Sequence, residues 1–247
     1  MSKESKISVR TKQHGKFEIR EVLPENGKAN ESFNIYKHKG KILPKIKLTG
    51  HYVEQIKAFA YLDKDLRNVA HWLKELEVIT KDYDSIKHFE EPDVKIGMLV
   101  KSYYVSSLIT YGKCFSDATD RKFTLNRKHV PEKYKAIHEN AINARNNFAA
   151  HKGVFEAEIC DVSLVIIPSK KNPDFEVFTE LKQVNYQVSE EMDFPKFIAL
   201  CDALREVIKE KKIKVVENMI NEKILSQTMS FWVERNGSVI NINSLKK

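Results

Sequence analysis

The sequence predicts a mainly α-helical fold: a four-helix bundle with a β-hairpin between its third and fourth helices and a small β-rich N-terminal arm. Three observations carry that prediction. Apolar residues recur at helical spacing through four long segments after residue 50. Two stretches between the third and fourth segments are instead rich in β-branched and aromatic residues around a polar turn. The first fifty residues alternate apolar and polar at the strand period and carry turn chemistry.

The arm comes first. Lys16–Arg20 and Phe33–Lys37 alternate apolar and polar side chains, and Pro24-Glu25-Asn26-Gly27 between them is a turn sequence. Lys41–Leu48 predicts a third short strand, which Pro44 confines to a sheet edge because proline has no N–H to donate. From His51 the period changes. Tyr52, Ile56, Phe59, Leu66, Val69, Leu73 and Leu76 predict a first helix ending near Ile79. Pro92 suits the opening turn of a second helix that runs to about Phe115. That segment is apolar around much of its circumference, which predicts the central and most buried helix. After a polar loop from Ser116 to Val130, Pro131 opens a third helix through Ile137, Ala141 and Phe148, with Gly153 as its stop. Glu158–Pro168 and Glu176–Val188 predict the hairpin strands, joined by the turn Ser169–Asp174. Phe194 to about Val233 predicts one long fourth helix, with Lys209–Lys212 as a candidate break, and the tail after Asn236-Gly237 suits a short strand. The expected organisation is an arm over 1–50, a helical domain over 51–235 with its hairpin at about 158–188, and a tail over 236–247.

Composition narrows the function classes. An apolar fraction of 42% permits a buried core, and no apolar run approaches the roughly 20 residues needed to span a bilayer. The polar opening MSKESKISVRTKQHGK lacks the apolar stretch of a secretory signal, which predicts a cytoplasmic protein without membrane association. Cys114, Cys160 and Cys201 are odd in number and lack metal-ligand spacing, so they read as small buried hydrophobes in a reducing compartment. Of the net charge of +8, most sits in residues 1–50, which hold 12 Lys/Arg against 5 Asp/Glu. Such a local excess suits a polyanion, and it also suits a plain solvated surface. Lysines outnumber arginines there, which favours phosphate attraction over base reading.

The segment most suggestive of chemistry is Arg145-Asn146-Asn147-Phe148-Ala149-Ala150-His151, at the end of the third helix. An arginine offers a permanent charge and a planar fork of donors to phosphate oxygens. A histidine takes or gives a proton near neutral pH. The bare spacing arises readily by chance, and what lifts it is the polar Asn146 directly after Arg145 and the helix-end position. The plain alternative is helix-end chemistry, in which His151 and Lys152 complement the helix dipole and Arg145 lies on the surface.

This segment resembles the signature of the HEPN superfamily, the higher eukaryote and prokaryote nucleotide-binding proteins: Arg, four to six residues, then His, with a polar residue favoured after the Arg. Arg145, Asn146 and His151 match it, with five residues between Arg and His, and Ala149-Ala150 before His151 is similar to many abortive-infection-type members. The resemblance covers the motif and the four-helix layout, residues 51–232, and excludes the arm. It implies metal-independent RNA cleavage without a cofactor, with Arg145 and His151 catalytic and Asn146 supporting. Lys113, Asn147 and Lys152 are then the candidates for holding substrate. It also implies a homodimer, an inhibitory partner protein, and a setting in phage defence or a toxin–antitoxin system. Geometry bears on the dimer. Six residues apart on an ideal helix, Arg145 and His151 point about 120° away from each other, so one helix cannot aim both at one phosphate unless it frays at Ala150. Two further readings stay open, a non-catalytic nucleic-acid or nucleotide-binding module and a structural or antitoxin-like helical partner.

Other features carry less. Arg67-Asn68-Val69-Ala70-His71 places Arg67 and His71 four apart on one helix face, too close for the family pattern, and reads as structural. Lys113, Asp117 and Asp120 are expected in a loop able to reach the third helix. Glu190, Glu191 and Asp193 precede the fourth helix, where negative charge favours the helix N-terminus without a metal. No phosphate-binding loop or zinc-protease motif occurs.

Overall fold

The computed structural model describes residues 7–24, 32–85, 94–117, 122–146, 160–168, 175–183 and 192–245. These residues are mainly helical, with a small antiparallel sheet near the N-terminus. They form two compact units, one drawn from 52–218 and the other from 1–51 and 219–247.

The larger unit is built on helix α1 (His51–Ser85). Its apolar residues Phe59, Leu62, Leu66, Val69, Leu73 and Leu76 alternate steps of three and four, so they form one stripe, and all are buried. Helix α2 (Val94–Lys113) adds Tyr104, Leu108 and Tyr111 to the same core. A short 3-10 turn, Glu132–Tyr134, leads into α3 (Lys135–Ala144), which adds Ile137 and Ala141. Helix α4 (Phe194–Met219) adds Phe197, Leu200, Leu204 and Ile208. Asp193 caps α4: its carboxylate accepts from the Lys196 N–H at 2.9 Å, so one of the three expected acidic residues has a defined role. Strands β6 (Cys160–Pro168) and β7 (Phe175–Gln183) form the expected antiparallel hairpin, with Val162, Leu164, Ile166, Val177 and Leu181 on one exposed face.

The smaller unit holds a sheet of order β1-β2-β3-β4: β1 (Ile7–His14), β2 (Phe17–Pro24), β3 (Phe33–His38) and β4 (Lys41–Ile42). A separate pair joins β5 (Lys47–Thr49) in parallel to β8 (Val239–Asn241). Between α4 and β8 lie a π-type turn at Ile220–Ile224 and a short helix, α5 (Met229–Glu234). Gly50 closes the β5–α1 junction at φ +116°, a left-handed value that disfavours any side chain. A Cβ there would also lie 2.8 Å from the side-chain oxygens of both Asn241 and Asn243.

Several expectations are corrected. The strand β1 was not expected, because its residues, ISVRTKQH, are mostly polar and only Val9 and Ile7 are aliphatic. Lys41–Leu48 is two strands, since the chain leaves the sheet at Leu43–Ile46 around Pro44 and Lys47 pairs elsewhere. Helix α1 runs six residues beyond Ile79. The fourth helix does not break at Lys209–Lys212, and it ends at Met219, with α5 a separate element capped by the Thr228 hydroxyl on the Phe231 N–H. The most buried helix is α1, whereas Met98, Leu99 and Ile109 leave one side of α2 exposed. Pro92, Gly153, the Ser169–Asp174 turn and the Glu25–Gly27 turn lie outside the described residues. No helix among those described is long and apolar enough to cross a membrane.

The contrast between stripe and exposed flank is measurable by chemical denaturation. Leu66→Ala removes a fully buried side chain and is expected to cost about 2–5 kcal/mol. Met98→Ala, at a 66% exposed position on α2, is expected to change stability by no more than about 0.5 kcal/mol.

Candidate functional site

Arg145 and Asn146 extend α3 by a π-type turn, and Arg145 falls four residues after the buried Ala141. That spacing carries Arg145 onto the face that α3 turns to α2. The residue opposite is Gly112. A Cβ at 112 would lie 3.1 Å from Cγ, Cδ and Nε of Arg145, so the missing side chain makes room for the arginine stem. Arg145 Nη1 donates to Asn146 Oδ1 at 2.9 Å, and both residues are half-buried. No carboxylate among the described residues pairs with Arg145. A guanidinium carries five N–H donors, and one neutral amide oxygen satisfies only one of them.

Asn147, His151 and Lys152 lie outside the described residues. Lys113 does not belong to a loop. It is the last residue of α2, beside Gly112, and its ammonium lies 3.4 Å from Asp65 Oδ2. The Asp65 side chain is 12% exposed and that of Lys113 is 56% exposed. The pairing therefore supplies the cation that a buried carboxylate needs, while the lysine remains in solvent. Asp117 accepts from the Thr124 hydroxyl at 3.5 Å, and Asp120 lies outside the described residues.

One pair was not singled out from the sequence. His138 is buried on α3, and its Nδ1 lies 2.8 Å from the Tyr111 hydroxyl of α2. The Phe115 ring packs on the imidazole at 4.5 Å between centroids, and Phe197 meets Tyr111 edge-on at 4.9 Å. Burial pushes the His138 pKa down; the Glu139 charge opposes this and the Arg127 charge adds to it. Burial also drives the Tyr111 hydroxyl far above its usual range, so it stays protonated. The signal was present in the sequence: His138 sits between Ile137 and Ala141, the apolar positions of its helix. A neutral histidine fixed to a phenol inside the core holds α3 against α2.

Arg67 and His71 lie on the surface of α1, 4.0 Å from Asp63 and 3.9 Å from Glu75 in i,i+4 pairs. Cys114 and Cys201 are buried free thiols, and burial pushes the Cys201 thiol up, away from the reactive thiolate. No group of three potential metal ligands occurs among the described residues. No protein-family model, curated protein or solved structure matches this chain.

The His138 shift has a sign that can be tested. A folded-state pKa below the ordinary value of about 6.5 means that the unfolded chain takes up the proton first as pH falls. Stability from this residue is complete above about 6.5 and is lost as pH drops from there towards the depressed folded value. Urea denaturation between pH 7.5 and 5 is expected to show a steeper loss for the wild type than for His138→Gln. Parallel curves would show that His138 is not buried neutral.

Proposed function

We propose that this chain is a metal-independent endoribonuclease of HEPN type, in which a four-helix bundle presents Arg145 and His151 to RNA at a dimer interface. The observation that carries the reading is the state of Arg145. The residue is half-buried, and among the described residues it makes one hydrogen bond, to a neutral amide, and pairs with no carboxylate. A positioned cation with donors to spare is suited to the oxygens of a phosphate passing through a pentacoordinate transition state.

In the proposed reaction the ribose 2′-oxygen attacks the adjacent phosphorus while its proton passes to a base. The P–O5′ bond breaks and the departing oxygen takes up a proton. The products are a 2′,3′-cyclic phosphate and a 5′-hydroxyl. His151 acts in proton transfer, for which an imidazole is matched at neutral pH. Arg145 stabilises the phosphorane charge. Asn146 supports by fixing the guanidinium plane, a role suited to its 2.9 Å bond. Asn147, within the motif, and Lys152, directly after it, serve as substrate contacts. Lys113 adds positive charge beside Gly112, shared with Asp65. Six residues apart on an ideal helix two side chains diverge by about 120°, which favours a homodimer that brings two motifs to one cleft. The same resemblance carries the setting, phage defence or a toxin–antitoxin pair with an inhibitory partner protein.

The test is cleavage of labelled RNA in EDTA by the purified full chain. Wild type is expected to cleave, and Arg145→Ala and His151→Ala to lose at least about a hundredfold. Arg145→Lys is expected to fail as well, because an ammonium lacks the fork. Gly112→Ala is expected to lower the rate with little change in stability, since its Cβ displaces the arginine stem. Full activity in Arg145→Ala, or activity abolished by EDTA, would contradict the proposal. RNA binding without cleavage would favour a non-catalytic module on the same fold.

A further inference from the structure

The smaller unit contains a groove of about 600 Å³, within the size range of ligand clefts. It runs along the edge of β3 beyond β4, past the last bond to β3, from Leu43 N–H to Tyr36 O at 2.9 Å. The far wall is held in place by backbone: Lys45 N–H donates to Asn236 Oδ1 at 2.9 Å, Gly237 N–H to Lys45 O at 2.9 Å and Lys47 N–H to Ser238 O at 3.0 Å. The groove is therefore tied on both sides by the β5–β8 pairing and its approach.

Its lining combines two chemistries. Phe33, 52% exposed, and Tyr36 supply aromatic surface, while Lys45 and Lys47 supply charge, and no carboxylate among the described residues lines it. Residues 32–53 contain five lysines and no Asp or Glu. Among the described residues none of those five makes an ion pair, whereas Arg20 and Lys12 on the neighbouring strands are paired with Glu18 and Glu21. Lys45 is oriented by the Asn34 carbonyl at 3.3 Å and sits 5.9 Å from the Tyr36 ring centroid, so charge and aromatic face are adjacent. An open channel lined by aromatic side chains and by ammonium groups that make no ion pair among the described residues suits one occupant: a single strand whose bases stack and whose phosphates meet the lysines. An acidic peptide would satisfy the lysines and leave the rings unused.

We propose that this groove binds single-stranded RNA, with a base stacked on Phe33 and the flanking phosphates at Lys45 and Lys47. The choice of RNA rests on the ribonuclease reading; the groove's geometry does not, and binding here requires no cleavage.

The experiment uses the full chain and a fluorescent 12-nucleotide 2′-O-methyl single strand, which cannot undergo 2′-hydroxyl attack, with anisotropy read across a salt series in EDTA. Wild type is expected to bind, and Phe33→Leu, which keeps an apolar side chain but no ring face, to weaken binding about tenfold with an unchanged salt slope. Lys45→Ala/Lys47→Ala is expected to weaken binding and lower the log–log salt slope by about 1.4, or about 0.7 for each phosphate left without its lysine. The Lys→Arg pair is expected to restore the slope. Equal binding of an abasic strand, of duplex RNA or of poly-glutamate would overturn the proposal, as would wild-type affinity in the Phe33 and double-lysine variants. Circular dichroism confirms that each variant is folded. Failure of this groove leaves cleavage by Arg145 and His151 standing if the ribonuclease assay succeeds, and failure of that assay leaves strand binding here intact.

Discussion

The helical unit depends on the apolar stripe of α1. Phe59, Leu62, Leu66, Val69, Leu73 and Leu76 recur in alternating steps of three and four, and α2, α3 and α4 each contribute side chains to the core this stripe begins. The helices could not be placed by their own propensities, because most helical stability in proteins comes from burying such a face. Once Tyr104, Leu108 and Tyr111 of α2 and Ile137 and Ala141 of α3 are committed to that core, the next residues on each helix follow by geometry. Gly112 and Lys113 come at the end of α2, and Arg145 and Asn146 at the end of α3. The candidate site is a consequence of where the core stops.

Polar groups at that margin are each dealt with differently. Asp65 is nearly buried and takes Lys113 as its counter-ion. His138 is buried outright and is held neutral against the Tyr111 hydroxyl, which removes the cost of an interior charge. Arg145 cannot become neutral, and among the described residues it donates to an amide and pairs with no carboxylate. It differs from Arg205, which is shared between Asp63 at 2.9 Å and Asp202 at 3.0 Å. Arg205 is thereby locked between two carboxylates, whereas Arg145 has no such pair among the described residues.

Much of this was legible in the sequence, and the failures have physical causes. Helices α1 to α4 follow from apolar period, because burial enforces it, and the hairpin follows from its β-branched and aromatic residues. Boundaries were less legible where the pattern continued past the structure: α4 ends at Met219 although Ile220, Ile224 and Leu225 keep helical spacing. Strand β1 was missed because a strand supported by pairing with β2 needs few apolar residues of its own. Arg145 and Asn146 were legible from type and order, whereas Gly112 was not, since its role exists only through the arginine that crosses it. The His138–Tyr111 bond joins residues 27 apart, a pairing that no local pattern encodes.

Central to the proposed reaction is that Arg145 and His151 assist attack by the RNA's own 2′-hydroxyl. The most direct measurement is the chemistry of the cut made in an RNA carrying a single 2′-deoxy residue at the preferred cleavage position. The expected result is 2′,3′-cyclic phosphate and 5′-hydroxyl ends on the all-ribose strand, and no cut at the deoxy position. Cleavage that persists at the deoxy residue, or products bearing 5′-phosphates, would contradict it.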